Sequence, residues 1–210
     1  MGGMIFLIGL LSIAFAYLLG SIPTGYLIVK ILTGKDIREI GSGNIGATNV
    51  KRAIGLKWFF VVLFLDALKG FFPVFLINTI YKSGSDIIPA LTGLAAILGH
   101  TYTIFLKFKG GKGVATGLGV ILSLAPLSTI SCIVVFVILL FMFNYISLGS
   151  ITAAFLLPIF IFIYGETGEH SFILILALLA AIFVIYKHKE NIKRLMQGTE
   201  NKFRVKEDKG

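Results

Sequence analysis

Two short segments of this chain carry the residue types that hold phosphate. The first reads Gly41-Ser42-Gly43-Asn44-Ile45-Gly46-Ala47-Thr48-Asn49-Val50-Lys51-Arg52. Glycine lets backbone N–H groups come close to an anion, and Ser, Thr, Asn, Lys and Arg add side-chain donors. A plain connecting loop with a basic end accounts for Lys51 and Arg52. It accounts poorly for Gly41, Gly43 and Gly46 interleaved with Ser42, Asn44, Thr48 and Asn49. The second segment reads Lys107-Phe108-Lys109-Gly110-Gly111-Lys112-Gly113. It looks like a P-loop fragment, but that motif needs a glycine five residues before Gly111 and a Ser or Thr after the lysine. Leu106 and Gly113 stand at those places, so nucleotide hydrolysis is not supported. Two readings remain. One is an anion site made of the amides of Gly110 to Gly113, the N-terminus of the next helix and Lys112 as a point charge. The other is a flexible basic turn.

A third candidate group lies in the tail, Lys187-His188-Lys189-Glu190-Asn191-Ile192-Lys193-Arg194-Leu195-Met196-Gln197-Gly198-Thr199-Glu200. His188, Asn191 and Leu195 share one helical face by their spacing of three and four. In isolation a snorkelling helix end is the better explanation of them. Asp66 and Lys69 stand three residues apart inside an apolar run. They form either a self-neutralising structural pair or a functional one.

The missing patterns narrow the chemistry. No His is followed five residues later by Asp; those places hold Phe105, Ile175 and Lys193. No Gly-x-Ser-x-Gly elbow occurs. The histidines and acids form no metal cluster, and no cofactor motif is present. Cys132 is the only cysteine and lies in an apolar run, so it reads as a small buried hydrophobe. A phosphate-binding membrane enzyme without an evident nucleophile or relay is expected to use an activated substrate and stabilise charge.

The elements that position these segments are membrane helices. Hydrophobic residues make up 57% of the chain and charged residues 14%, where a soluble domain carries about a quarter charged. Apolar runs cover 4–32, 58–81, 87–106, 114–143, 146–164 and 171–186. A span needs about 20 apolar residues. The first run lacks a clear cleavage site and reads as a retained helix. Six spans would put the first glycine loop opposite the basic tail. The positive-inside rule wants Lys35, Arg38, Lys51, Arg52 and Lys57, then Lys107, Lys109 and Lys112, then Lys187, Lys189, Lys193 and Arg194, all on one face. Pro126 resolves the conflict, because proline disfavours helix at Ala125. Splitting the long run near 114–125 and 127–143 gives seven helices, the N-terminus outside and the C-terminus cytoplasmic. The acidic loop 165–170 then lies outside, with Lys82 as the one external lysine. A break at membrane depth must be covered by protein or a water-filled cavity, so it is expected to line the site. The expected fold is an all-α polytopic membrane protein, one domain over 1–210. The net charge of +9 follows from cytoplasmic lysine and arginine, and nucleic acid is not expected as a partner.

From these residues alone three classes remain open: an enzyme, a transporter of organic phosphate, or a protein that holds anionic lipid headgroups. The order of motifs then adds a resemblance. Gly41 to Asn49, Gly99-His100 with Phe108 to Thr116, and His188 to Leu195 with Gly198-Thr199-Glu200 resemble the bacterial membrane acyl-phosphate:glycerol-3-phosphate acyltransferases, the PlsY family. The likeness extends to Asp66-Ala67-Leu68-Lys69-Gly70 and Ser147-Leu148-Gly149-Ser150 and covers essentially the whole chain. Ile45 stands where the family often has proline, which implies a backbone adjustment only. The resemblance implies seven helices in the cell (inner) membrane with the motifs at the cytoplasmic face. It implies acyl transfer from a long-chain acyl phosphate to the 1-hydroxyl of sn-glycerol 3-phosphate, giving lysophosphatidate and phosphate in the first acylation step of phospholipid synthesis. It implies no cofactor, no covalent intermediate, and a peripheral acyl-phosphate-making enzyme as a partner. Ser42, Arg52, Lys112, His188 and Asn191 would hold glycerol 3-phosphate and do the catalysis. Gly43, Asn44, Gly46, Thr48, Asn49, Lys109, Gly110, Gly111, Gly113 and Ser150 would bind substrate. Asp66, Lys69 and Glu200 would support the site.

Overall fold

The computed structural model describes residues 2–81 and 85–204; Lys82 lies outside them. The described residues form helices α1 (Gly2–Ser21), α2 (Thr24–Thr33), α3 (Ala47–Ile54), α4 (Leu56–Ile80), α5 (Ile87–Thr101), α6 (Val114–Leu124), α7 (Pro126–Phe143), α8 (Ile146–Ile163), α9 (Phe172–Lys187) and α10 (Lys189–Met196). Short 3-10 turns lie at Ile37–Glu39 and Ile104–Leu106. No strand occurs among the described residues.

Among the described residues, five stretches are long and apolar enough to cross a membrane: Phe6–Thr33, Leu56–Ile80, Ile87–Leu106, Pro126–Phe143 and Ile146–Ile163. A sixth is added if α9 and α10, which meet at 57°, count as one span. α6 has 11 residues and is about 16 Å long, too short to cross alone.

The helices meet through small residues, the arrangement that lets backbones approach where hydrophobic contrast is weak. α1 and α5 pack through Gly20 against the Ala96 backbone and Gly99 against the Tyr17 backbone. α4 and α6 do the same reciprocally, Gly70 against Thr116 and Gly119 against Ala67. The large side chains point outward; Phe64, Phe141, Phe155 and Ile182 are among many exposed ones.

The break expected at Pro126 is present. α6 ends at Leu124, and Pro126 opens α7 at the position where its missing N–H costs nothing. The break does not line the motif loops, however, and that expectation is corrected. It lies at the far end of α6 from Lys112, roughly 16 Å along the helix. A carboxylate covers it instead. Glu166 accepts from the backbone N–H of Leu127 (3.0 Å) and Ser128 (2.8 Å) and from the Ser128 hydroxyl (2.6 Å). An acid at a helix N-terminus satisfies the orphan donors and suits the dipole.

The first apolar run also breaks, at Ile22-Pro23, which the sequence reading treated as continuous. This is where Asp66 and Lys69 serve. Lys69 donates to the Ile22 carbonyl (2.7 Å), and Thr24 donates to Asp66 Oδ1 (2.6 Å). The two side chains pair at 2.8 Å and are almost fully buried. Thr103 donates to the neighbouring Ser21 carbonyl. Lys69 thus adds a donor to the carbonyl before the proline, and Asp66 holds the Thr24 hydroxyl at the start of α2, so the ion pair braces the break from both sides.

Candidate active site

The first loop is built around one side chain. Asn49 Oδ1 accepts from the Ser42 N–H at 3.0 Å. Its Nδ2 donates to the carbonyls of Ile37 (3.2 Å), Ile40 (2.8 Å) and Asn44 (2.8 Å). Asn49 is 1% exposed, so all its capacity is spent on shaping the loop. It is a staple, not the substrate contact expected of it. Asn44 Oδ1 accepts from the Gly46 N–H at 2.8 Å and closes an Asx turn into α3. Ser42 stays exposed, and Thr48 is half-buried on the first turn of α3. Arg52, exposed at the end of α3, arches back so that its Cδ borders Gly41. Asn49→Ala would strand the Asn44 carbonyl and the Ser42 amide, at about 2–4 kcal/mol, while the Ile37 and Ile40 carbonyls keep the bonds from the Ile40 and Gly43 N–H groups. The expected result is a lower melting temperature together with weakened phosphate binding, read by thermal unfolding in detergent.

In the second loop the chain doubles back along the end of α5. Gly110 donates to the Thr101 carbonyl (2.9 Å) and Gly111 to the His100 carbonyl (3.1 Å). These two amides hold the loop down and are not free to cradle an anion, which corrects the sequence expectation. Glycine is required because side chains there would collide with α5. The unspent donors are the first-turn N–H groups of α6 beyond Gly113, which caps it at φ +78°. Lys109 is exposed.

The tail supplies the other wall. His188 sits at the bend between α9 and α10, its Nδ1 2.7 Å from the Val184 carbonyl. A carbonyl only accepts, so Nδ1 carries the proton and Nε2 is left to face a ligand. Asn191, one turn on, joins the segments. Its Oδ1 accepts from the Lys112 ammonium, and its Nδ2 donates to Glu200 Oε1 at 2.7 Å. Glu200 also accepts from Ser147 on α8 (2.9 Å) and from Arg194 Nε (2.7 Å). Burial alone would raise the Glu200 carboxyl. The bonds from Asn191, Arg194 and Ser147 outweigh it and hold the group below its usual range, so it is ionised. Ser150 is buried one turn further along α8. Asp66 and Lys69 sit at the Pro23 break, and the imidazole of His100 lies between Asp66, 3.7 Å from its Nδ1, and Gly111 of the second loop.

Ser147, Glu200, Asn191 and Lys112 thus form one continuous hydrogen-bonded chain. Ser147 and Arg194 were not among the expected site residues. The signal for Ser147 was present, since it opens the segment that supplied Ser150. Burial pushes the Lys112 ammonium down to about 8; Glu200 pulls it back up, while Arg194 and Arg52 push it further down. Lys51 of α3 reaches the tail, its ammonium donating to the Phe203 carbonyl three residues beyond Glu200, which brings the end of the first loop beside the tail. The Lys112 and Arg194 cations gather around the Glu200 carboxylate, with Arg52 next in sequence to Lys51. Because the folded-state pKa is depressed, the Lys112 charge is full well below pH 8 and is lost as pH rises through about 8. Affinity for a phosphate dianion is expected to fall about tenfold per unit above that pH. A titration of ligand affinity between pH 6 and 10 checks it, and a flat profile to pH 10 contradicts it.

Spans of bilayer length, with cationic side chains gathered where α5 turns into α6 and α9 into α10, define a helical membrane protein. Residues 10–198 match the glycerol-3-phosphate acyltransferase family. The glycerol-3-phosphate acyltransferase of Trichlorobacter lovleyi is 51% identical over 198 residues, 94% of this chain and 98% of that one. That of Fusobacterium nucleatum is 47% identical over 192 residues, 91% and 96% of the two chains. The crystal structure of PlsY (YgiH), an integral membrane glycerol 3-phosphate acyltransferase, in its glycerol 3-phosphate form superposes with a TM-score of 0.87. It is 43% identical and covers 93% of this chain and 96% of that one. Its lysophosphatidic acid form gives a TM-score of 0.84 at 41% identity, covering 92% and 94%. The chain belongs to the glycerol-3-phosphate acyltransferase family.

Proposed function

We propose that this protein transfers a fatty acyl group from acyl phosphate to the 1-hydroxyl of sn-glycerol 3-phosphate. The observation that carries this reading is the chain Ser147–Glu200–Asn191–Lys112 with Arg52 and Arg194 beside it, a cationic site assembled from all three motif segments. The relatives named as glycerol-3-phosphate acyltransferases, and the solved one with glycerol 3-phosphate and lysophosphatidic acid forms, support it.

Both substrates are phosphates. Each pair of like unit charges about 4 Å apart costs about 4 kcal/mol at an effective dielectric constant of about 20, so two dianions together need several cations. Arg52 and Lys112 supply them, aided by the first-turn amides of α6. Ser42, Arg52, Lys112, His188 and Asn191 hold glycerol 3-phosphate. Gly43, Asn44, Gly46, Thr48, Lys109, Gly113 and Ser150 border the acyl phosphate head. The 1-hydroxyl oxygen attacks the acyl carbon, the carbon–oxygen bond to phosphate breaks, and inorganic phosphate leaves. The hydroxyl proton passes to a substrate phosphate oxygen. No enzyme nucleophile takes part, because a mixed anhydride already has a good leaving group. Correct placement of the hydroxyl supplies much of the acceleration. His188 acting as the base through Nε2 is the competing route. It requires that His188→Gln lower kcat while leaving KM unchanged; a change confined to KM removes it.

The acyl chain lies in an apolar groove of about 360 Å³ between α5 and α9, lined by Leu94, Ile97, Leu98, Leu179, Phe183 and Tyr186. Ile97 also borders Gly113, which links this groove to the second loop. Charge placement favours seven spans with α6 as the short one, the N-terminus outside and the site at the cytoplasmic face of the cell membrane. An acyl-phosphate-making enzyme docking there would feed the groove. The test is a purified sample given palmitoyl phosphate and glycerol 3-phosphate. Lysophosphatidate and inorganic phosphate should appear one for one, with no product from acyl-CoA. Use of acyl-CoA, or no turnover by folded protein, overturns the reading.

A further inference from the structure

Beyond Gly198 the chain returns across the site and is fastened three times. Glu200 is held by Ser147, Asn191 and Arg194. Three residues on, the Phe203 N–H donates to the Asn144 carbonyl at 2.8 Å, and the Arg204 N–H donates to Asn144 Oδ1 at 2.9 Å. Asn144 Nδ2 donates to the Arg204 carbonyl at 3.0 Å. Asn144 can serve because it ends α7 in the left-handed region, φ +62° and ψ +26°, which asparagine tolerates better than most residues. The third fastening reaches α3. The Lys51 ammonium donates to the Phe203 carbonyl and lies 3.8 Å from the centroid of its ring. That ring packs on Phe59 of α4 with centroids 5.3 Å apart.

α3 has eight residues, too few to be stable as an isolated helix. Tertiary contacts must fix its place. Arg52 follows Lys51 directly, and its side chain has no hydrogen-bonded partner among the described residues. Its position therefore depends on where α3 is held. We propose that residues 200–204 are a clasp that holds the Arg52 helix against the Lys112–Asn191 wall, with Phe203 and Asn144 as positioning residues. The clasp connects α3, the α7–α8 junction and α10, the elements that must stay in register for one phosphate to meet cations from all of them. Neither residue touches substrate. Each acts through Arg52.

The proposal rests on the acyltransfer reading for its kinetic readout, so it is tested two ways. In steady-state assays with glycerol 3-phosphate varied, Phe203→Ala and Asn144→Ala should each raise KM about tenfold and leave kcat within about twofold, since binding common to ground and transition states is what loosens. Combining either with Arg52→Ala should add nothing to the Arg52→Ala defect. Wild-type KM in both single variants overturns the clasp. So does full additivity with Arg52→Ala, which would mark a merely structural contact. Independently of turnover, the amides of residues 47–54 should exchange with solvent faster in Phe203→Ala than in wild type; equal rates overturn the proposal. A wild-type protein that folds but does not turn over would sink the acyltransfer reading and leave the exchange test standing.

Discussion

Lys112→Met is expected to lower kcat/KM by about a thousandfold while the melting temperature stays near that of the wild type. The side chain occupies the one point where the second loop, the tail and, through charge, the first loop meet. Its ammonium is partly withdrawn from water, which makes it costly to keep and effective against an anion. Methionine retains most of the stem's volume and removes only the charge and the bond to Asn191. The fold keeps its packing, and the loss should register in the chemistry. Lys112→Arg is not a conservative replacement here, because a planar fork does not fit the place of a compact ammonium aimed at one amide oxygen. Steady-state kinetics beside thermal unfolding separates the two effects. A parallel fall in stability and activity would mean that Lys112 is structural.

The second large effect concerns two adjacent glycines that sequence alone does not distinguish. A Cβ at Gly110 would run into the backbone carbonyls of His100 and Thr101. At Gly111 the three nearest atoms it would meet all belong to the His100 imidazole. Displacing a backbone by about 1 Å can cost about a hundredfold in rate when the segment carries a catalytic residue, here Lys112. Gly110→Ala should therefore lose about that much, and no side-chain truncation should restore it. Gly111→Ala should also be impaired, but the penalty should shrink sharply in a His100→Ala background, where the obstructing ring is gone. The comparison is a double-mutant cycle on kcat/KM. Equal penalties for Gly111→Ala in both backgrounds would contradict the geometry.

This pair shows how far the sequence was legible. The dense glycines marked both loops correctly as special, and the basic segments pointed to a common face. Lys112, Asn191 and Glu200 were named from motif types and do meet. The function of the glycines was misread. Local composition shows that a backbone can approach something, and here that something is the end of α5 rather than a ligand. Asn49 was misassigned for the same reason: the carbonyls it gathers are near in sequence, but their convergence exists only in the folded loop. Pro126 was recognised as a break because its run was too long for one span and the charges demanded another crossing. Pro23 lay in a run that could pass as a single span, so nothing required a break there. The partners of both breaks, Glu166 for one and the Asp66–Lys69 pair for the other, come from distant parts of the chain. Arg194 and the Asn144–Phe203 clasp were missed because each depends on a contact that no spacing rule encodes, whereas Ser147 lay in the segment that supplied Ser150 and was passed over.

The most direct test of a single site built from three segments is ligand-dependent thermal stability. Glycerol 3-phosphate at about one hundred times its Kd should stabilise the wild type by about 2.7 kcal/mol, visible as a raised melting temperature. Arg52→Met, Lys112→Met and Asn191→Leu remove one partner from the first loop, the second loop and the tail in turn. Each folded variant is predicted to lose most of the shift at the same ligand concentration. A variant that keeps the full shift would show that its segment takes no part in holding glycerol 3-phosphate, and the three-segment site would be wrong.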